Sequence, residues 1–288
     1  MRIITALFPI FLLLTPASAQ VTVPLLVDVA WLTEHLSDRN LVLLHVGSKG
    51  DYDGGHIPGA RHITDSDVTR NSATDIYDLP GADSLRSKFA SLGISDDSRI
   101  VVYFGKDGPL PSATRIVFTL DYIGLGDRTS LLNGGLAAWL RAGKNVSNAI
   151  PPVTAGKLSA RPVKNVVADI ALVKSVPQRS DYKLIDARAP VYYTGIESSH
   201  EKSGHIAGAV NIPFSNIADT ERMIQRERVA ELFRNAGVKP GATVVAYCHI
   251  GQQATAVVFA ARLLGHPVLL YDGSMHDWAM TNDGPVEK

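Results

Sequence analysis

One cysteine, Cys248, stands in a chain of 288 residues, within the stretch "AYCHIGQQATAVVFAARLLG" from Ala246 to Gly265. It follows the apolar run "TVVAY"; five residues, "HIGQQ", then lead into a second, helix-like apolar run. That spacing predicts a sulfur at the carboxyl end of a strand, in a turn that enters a helix. Such a turn aims several unsatisfied backbone N–H groups at one point, and the helix dipole adds partial positive charge. Gly251 permits a tight loop there. A thiol so placed is expected to have a lowered pKa and to exist largely as thiolate, the nucleophilic form. The alternative is an inert cysteine that packs like a small apolar residue. The strand-end position beside Gly251, Gln252 and Gln253 favours the reactive reading. A single cysteine cannot build a multi-cysteine zinc site.

The elements that must hold this loop occur twice. "GGHIPGARHI" (54–63) returns as "SGHIAGAVNI" (203–212), and "LVLLHVG" (41–47) as "YKLIDAR" (182–188). "SLGISDDSRIVVYFG" (91–105) returns as "NAGVKPGATVVAYC" (235–248), and "ATRIVFTLDYIGL" (113–125) as "ATAVVFAARLLGH" (254–266). "LLNGGLAAWLRAG" (131–143) returns as "LYDGSMHDWAMTN" (270–282). Five blocks in the same order imply two copies of one domain. Short Val/Leu/Ile runs without alternation fit strands buried on both faces, and they alternate with helical stretches stopped by glycine. The expected fold class is α/β: two domains, each a mostly parallel sheet flanked by helices. The expected boundaries are 1–19 for a leader, 20–147 and 168–288 for the domains, and 148–167 for a Pro/Gly/Ala-rich connection.

The first 19 residues carry Arg2, an apolar run from Ile3 to Leu14 and the small residues of "ASA", the pattern of a cleaved signal peptide. The expectation is a periplasmic or secreted protein with no membrane span after cleavage, since about 20 apolar residues are needed to cross a bilayer. Lys plus Arg and Asp plus Glu number 28 each, which gives no support for nucleic acid as a partner. A lone cysteine in an exported chain reads as a reactive thiol or an intermolecular pair.

"CHIGQQA" at a strand–helix turn, the two "GHIxGA" blocks and the "YDGS…W" block together resemble a tandem-domain rhodanese-type sulfurtransferase, along nearly the whole chain past residue 19. The resemblance implies a non-catalytic first domain and a catalytic second one. Gly105 is taken as the position matching Cys248, so the first copy has no thiol. The implied chemistry is covalent: Cys248 takes sulfane sulfur from a small anionic donor, thiosulfate or 3-mercaptopyruvate. It then hands the sulfur to cyanide, a thiol or a sulfur-accepting redox protein, with no metal and no organic cofactor. Implied substrate contacts are Arg188, which can hold a carboxylate or sulfonate by two parallel bonds, and the loop residues His249, Ile250, Gly251, Gln252 and Gln253. A structural pairing of Arg188 with Asp186 or Glu197 is the competing role. His249 can offer partial positive charge to an anion. The "HI" pair leaves the donor open. A monomer is expected, because two copies already form a pseudo-dimer.

Two other readings compete. A phosphatase on this type of domain needs C-x5-R, and the sixth residue after Cys248 is Ala254. A persulfide carrier serving a partner protein would share the same cysteine and loop. His56 and His205 in the repeated turns read as hydrogen-bonded structural residues; the spacing of His200 and His205 reads as chance. Trp139 and Trp278 read as packing residues.

Overall fold

The computed structural model describes residues 23–72, 76–106, 108–159 and 163–288; the expected signal peptide lies outside them. The first domain orders its strands as β1 (Leu26–Val27), β5 (Thr129–Leu132), β4 (Arg99–Phe104), β2 (Leu41–Val46) and β3 (Arg61–Ile63), all parallel. Its helices are α1 (Val29–His35), α2 (Lys49–Gly54), α3 (Ala82–Ser91), α4 (Leu110–Tyr122) and α5 (Gly135–Arg141). The second domain repeats the plan with β6 (Tyr182–Asp186), β8 (Val210–Asn211), β9 (Thr243–Tyr247) and β10 (Val268–Leu270) in the parallel order β10-β9-β6-β8. A parallel bridge between Val167 and Leu270 stands where β1 pairs with β5 in the first copy. Helices α6 (Ile170–Ser175), α7 (Pro190–Tyr193), α8 (Arg226–Asn235), α9 (Ala254–Leu263) and α10 (Ser274–Met280) flank this sheet. Strands β7 (His205–Ile206) and β11 (Val286–Glu287) form an antiparallel pair, matched in the first domain by a bridge between His56 and Ser147.

The central strands have no solvent face, which explains their unbroken apolar runs: β4 is buried from Ile100 onward and β9 from Val244 onward. Helices α4 and α9 are apolar almost all round because each lies between its own sheet and the other helix. They meet on a pseudo-two-fold axis. Thr114 Oγ1 and Thr255 Oγ1, equivalent residues, share a hydrogen bond of 2.8 Å. Arg262 reaches Asp121 at 3.3 Å across the same seam. One apolar core runs through both domains, joining Val117 and Phe118 to Val258 and Phe259. The Pro/Gly-rich connection is fastened to the first domain, with Gly156 N donating to Ala90 O at 2.8 Å and Lys164 N to Tyr122 O at 2.9 Å.

Register corrects one equivalence. Leu41 pairs with Arg99 and His45 with Tyr103, just as Tyr182 pairs with Thr243 and Asp186 with Tyr247. Tyr103 and Tyr247 both accept a backbone N–H at 3.0 Å, from Ile57 and Ile206. Cys248 therefore matches Phe104, and Gly105 matches His249. The loop hid this: nine positions separate Phe104 from Ala113, but six separate Cys248 from Ala254. Gly105 instead makes room, since a Cβ there would collide with the Asp51 carboxylate. The first domain still has no thiol.

Candidate active site

Sheet order places the site. From β6 the chain steps outward to β8, then returns to β9 on the other side. Cys248 and Arg188 follow the carboxyl ends of these two neighbouring strands, at the switch point where open α/β sheets bind ligands. Cys248 is wholly buried. Backbone N–H groups of Ala254, Ile250, Gly251 and Gln253 are turned toward its sulfur and favour its anionic form. Gly251 has φ +86°, and a Cβ there would lie 2.5 Å from Asp272 O and 2.6 Å from Asp272 Oδ1. Only glycine lets the loop fold against Asp272 and turn its amides inward.

The thiol's ionisation departs from expectation. Burial pushes the Cys248 pKa up, and the four N–H groups only partly pull it back, so it lies above the ordinary thiol value. Desolvation is the largest influence on the sulfur and outweighs the N–H groups of the turn. At rest near neutral pH the group is a thiol, not the expected thiolate.

Arg188 is also buried, and its charge is engaged. Its Nε lies 3.0 and 3.1 Å from the two Asp186 oxygens, while Nη2 donates to Asp186 Oδ2 at 2.6 Å and to Gly204 O at 2.7 Å. Burial opposes the charged guanidinium, but Asp186 more than offsets it and holds Arg188 above its ordinary value. Its Cζ sits 6.0 Å from the Tyr247 ring centroid. The ion pair with Asp186 thus exists, and Nη1 makes no hydrogen bond among the described residues.

His249 does not supply positive charge. Burial, Arg188 and His200 lower its pKa to about 4. Its Nδ1 lies 2.7 Å from Ser199 Oγ, and Tyr192 packs edge-on at 4.7 Å. His200 has its ring 6.0 Å from both His249 and His276. Gln252 turns away from the sulfur: its Nε2 donates to Asp65 Oδ2 at 2.5 Å, across the domain seam. Gln253 contributes its backbone N–H, and its Oε1 is buried without a hydrogen bond among the described residues. Ile250 likewise contributes through its backbone.

Ser274 was missed by sequence reasoning. It is fully buried at φ +53°, a conformation costly for a residue with a Cβ. Its Oγ accepts the Cys248 N–H at 3.0 Å and donates to Tyr271 O at 2.9 Å. The equivalent in the first copy is Gly135, at φ +56°. A serine replacing glycine at one position of "NGG" against "DGS" was the available signal. Asp272 was missed too; it pairs with Arg115 of the first domain behind Gly251.

The histidines of the repeated turns are structural. His56 Nδ1 lies 2.9 Å from Tyr52 O and His205 Nδ1 2.8 Å from Tyr193 O, each ring stacked on that tyrosine at 3.9 and 3.7 Å. Trp139 and Trp278 are buried at matching places and donate to Asn145 O and Pro285 O. No group of three or more His, Cys, Asp or Glu among the described residues is arranged to hold a metal ion. No helix among them is long and apolar enough to cross a membrane.

The rhodanese-like domain pattern matches residues 28–142 and again 170–281. This chain belongs to the rhodanese-like family. A thiosulfate sulfurtransferase of Azotobacter vinelandii is 31% identical over 268 residues, 92% of this chain and 98% of that protein. A probable 3-mercaptopyruvate sulfurtransferase of Pseudomonas aeruginosa is 32% identical over 244 residues, 82% of this chain and 85% of that one. The crystal structure of a 3-mercaptopyruvate sulfotransferase from Escherichia coli superposes with a TM-score of 0.76 at 25% identity, covering 88% of this chain and 99% of the other. With two rhodanese-like domains and such relatives along most of its length, the chain is a sulfurtransferase.

Proposed function

We propose that this sulfurtransferase moves sulfane sulfur from a small anionic donor, thiosulfate or 3-mercaptopyruvate, to cyanide or a thiol through a persulfide on Cys248. The observation that carries the reading is four backbone N–H groups converging on one buried sulfur, beside Arg188 at the end of the neighbouring strand. Their benefit falls on charge as it develops. The resting thiol is neutral, whereas a thiolate in attack or a persulfide anion takes up the negative charge that the cradle stabilises.

With thiosulfate, the Cys248 thiolate attacks the outer sulfur. The donor's S–S bond breaks, and sulfite leaves with the electron pair. With 3-mercaptopyruvate the C–S bond breaks instead, and the carbon takes a proton to give pyruvate. The acceptor then attacks the outer sulfur of the persulfide and returns the thiolate. Such alternation predicts ping-pong kinetics. A sulfur with no exposed surface suits small donors and acceptors better than direct transfer to a bulky partner. The leader-like first 19 residues support an exported protein.

The test is intact mass after incubation with either donor. A gain of one sulfur, removed by cyanide and absent in Cys248→Ser, supports the reading. No gain with either donor rejects it. For location, fractionation of cells carrying the full chain should place it outside the cytoplasm, shortened by the leader; an uncleaved cytoplasmic chain refutes export.

A further inference from the structure

The domain without a thiol grips the catalytic loop of the other at two points. At the first, Asp65, on the 3-10 turn Asp65–Val68, uses one oxygen as a triple acceptor. Oδ2 receives Tyr77 Oη at 2.6 Å, Ser112 Oγ at 2.7 Å and Gln252 Nε2 at 2.5 Å. Gln252 Nε2 also lies 3.2 Å from Ser112 Oγ. Gln252 sits between Gly251 and Gln253, whose N–H groups point at the sulfur. At the second point, Arg115 pairs with Asp272, and Leu79 N donates to Asp272 Oδ2 at 2.9 Å. Asp272 is the wall against which Gly251 folds.

The contacts at the mirror position differ in kind. In the opposite direction, Asn133 exchanges bonds with the Ile224 backbone, and Arg222 reaches the Lys106 and Gly108 carbonyls. Tyr77 and Arg222 hold the same unusual positive φ, 69° and 65°. Among the described residues, no carboxylate-to-amide bond joins the domains at the other end of the axis, where Phe104 stands in the place of the cysteine.

We infer that Asp65 is a positioning residue for the sulfur-transfer step, fixing Gln252 so that the loop's backbone N–H groups stay aimed at Cys248. Burial alone would raise the Asp65 carboxyl, but the Tyr77, Ser112 and Gln252 donors outweigh it and keep the acceptor anionic. A loop released at Gln252 can turn its amides elsewhere, and the charged sulfur then loses donors that no side chain replaces. The charge that acts on Cys248 is that of Arg188, which is paired with Asp186; His249 and Tyr247 flank the sulfur along the chain. None of them hydrogen-bonds Asp65 among the described residues, and all are left in place by a change there.

The inference rests on Cys248 as the reacting group, but its test reads the thiol itself, with or without sulfur transfer. Rates of iodoacetamide reaction at the single cysteine are measured against pH. The plateau reports access to the buried sulfur, and the midpoint reports thiolate stabilisation. Asp65→Ala and Gln252→Ala should each move the midpoint up, lowering the thiolate fraction near neutral pH by roughly three- to tenfold, the scale of one charge-assisted hydrogen bond. The double variant should move it no further than the larger single change, and Asp65→Asn, which keeps an acceptor oxygen, should recover most of it. Asp67→Asn removes the charge of a neighbouring carboxylate that pairs with Lys88 and not with the loop, and should leave the midpoint alone. Gln252→Ala spares the first domain, so it decides the matter if Asp65→Ala does not fold. An unmoved midpoint in Gln252→Ala, or independent additive shifts in the double variant, overturns the inference.

Discussion

Replacing Arg188 by methionine tests two roles at once. The Asp186 carboxylate is wholly buried and the Arg188 side chain is 2% exposed. Removing the guanidinium strands a buried carboxylate, whose loss of partner typically costs about 3–5 kcal/mol. Against a usual domain stability of roughly 5–15 kcal/mol, that is a large fraction. For domains of this size it corresponds to a melting decrease on the order of 10 °C. Arg188→Met should therefore be a stability variant before it is a binding variant. Asp186→Asn combined with Arg188→Met removes both charges and keeps an oxygen for the residue-188 N–H, which now donates to Asp186 Oδ1 at 2.9 Å. The double variant should regain at least half of the lost stability in urea unfolding. Its KM for an anionic donor should stay raised, because the guanidinium is gone. A single variant within about 1 kcal/mol of the parent would refute the reasoning, as would a double variant no more stable than the single.

Further predictions follow from the loop, the thiol and the seam. Gly251→Ala forces a Cβ onto Asp272 at positive φ; it should lower the rate of persulfide formation at least tenfold and cost roughly 1–3 kcal/mol in thermal melting. Cys248 is held above its ordinary value, so alkylation should keep rising past the pH at which a model thiol levels off; levelling at or below that pH contradicts the burial argument. Its raised folded-state pKa also means that the stability it contributes is present below the unfolded thiol's pKa and is lost as pH rises through the folded one. His249 has the opposite sign: its contribution is full above about 6.5 and is lost as pH falls toward about 4, so an acid-melting series should show His249→Gln less sensitive across that window. Thr114→Val with Thr255→Val removes both partners of a buried bond and should be milder than the sum of the single changes; strict additivity in melting would argue against their pairing.

Much was legible because its physics is local. The strand runs, the glycine-stopped helices, the doubled blocks and the Cys248 turn are written in contiguous residues. Periodicity and backbone rules act on those directly. Gly251 could be read as a required glycine, and its φ of +86° is the reason. Ser274 could have been found by setting the two copies side by side, since only a compensating hydrogen bond makes serine tolerable where the first copy uses glycine.

Other properties depend on what lies far away along the chain. The match of Cys248 to Phe104, not Gly105, came from strand register, because loops of unequal length misalign when read as strings. The thiol's direction of shift came from burial, which a turn motif does not report; local N–H groups favour the anion, but the surrounding core disfavours it more. His249 is a neutral ring for the same reason. Gln252, 187 positions from Asp65, shows the limit most clearly. The sequence by itself determined that one loop could hold a reactive sulfur and that its partner domain could not. Only the tertiary structure decided that the partner domain holds that loop in place, since the contact exists only once α4 and α9 have packed across their pseudo-two-fold axis.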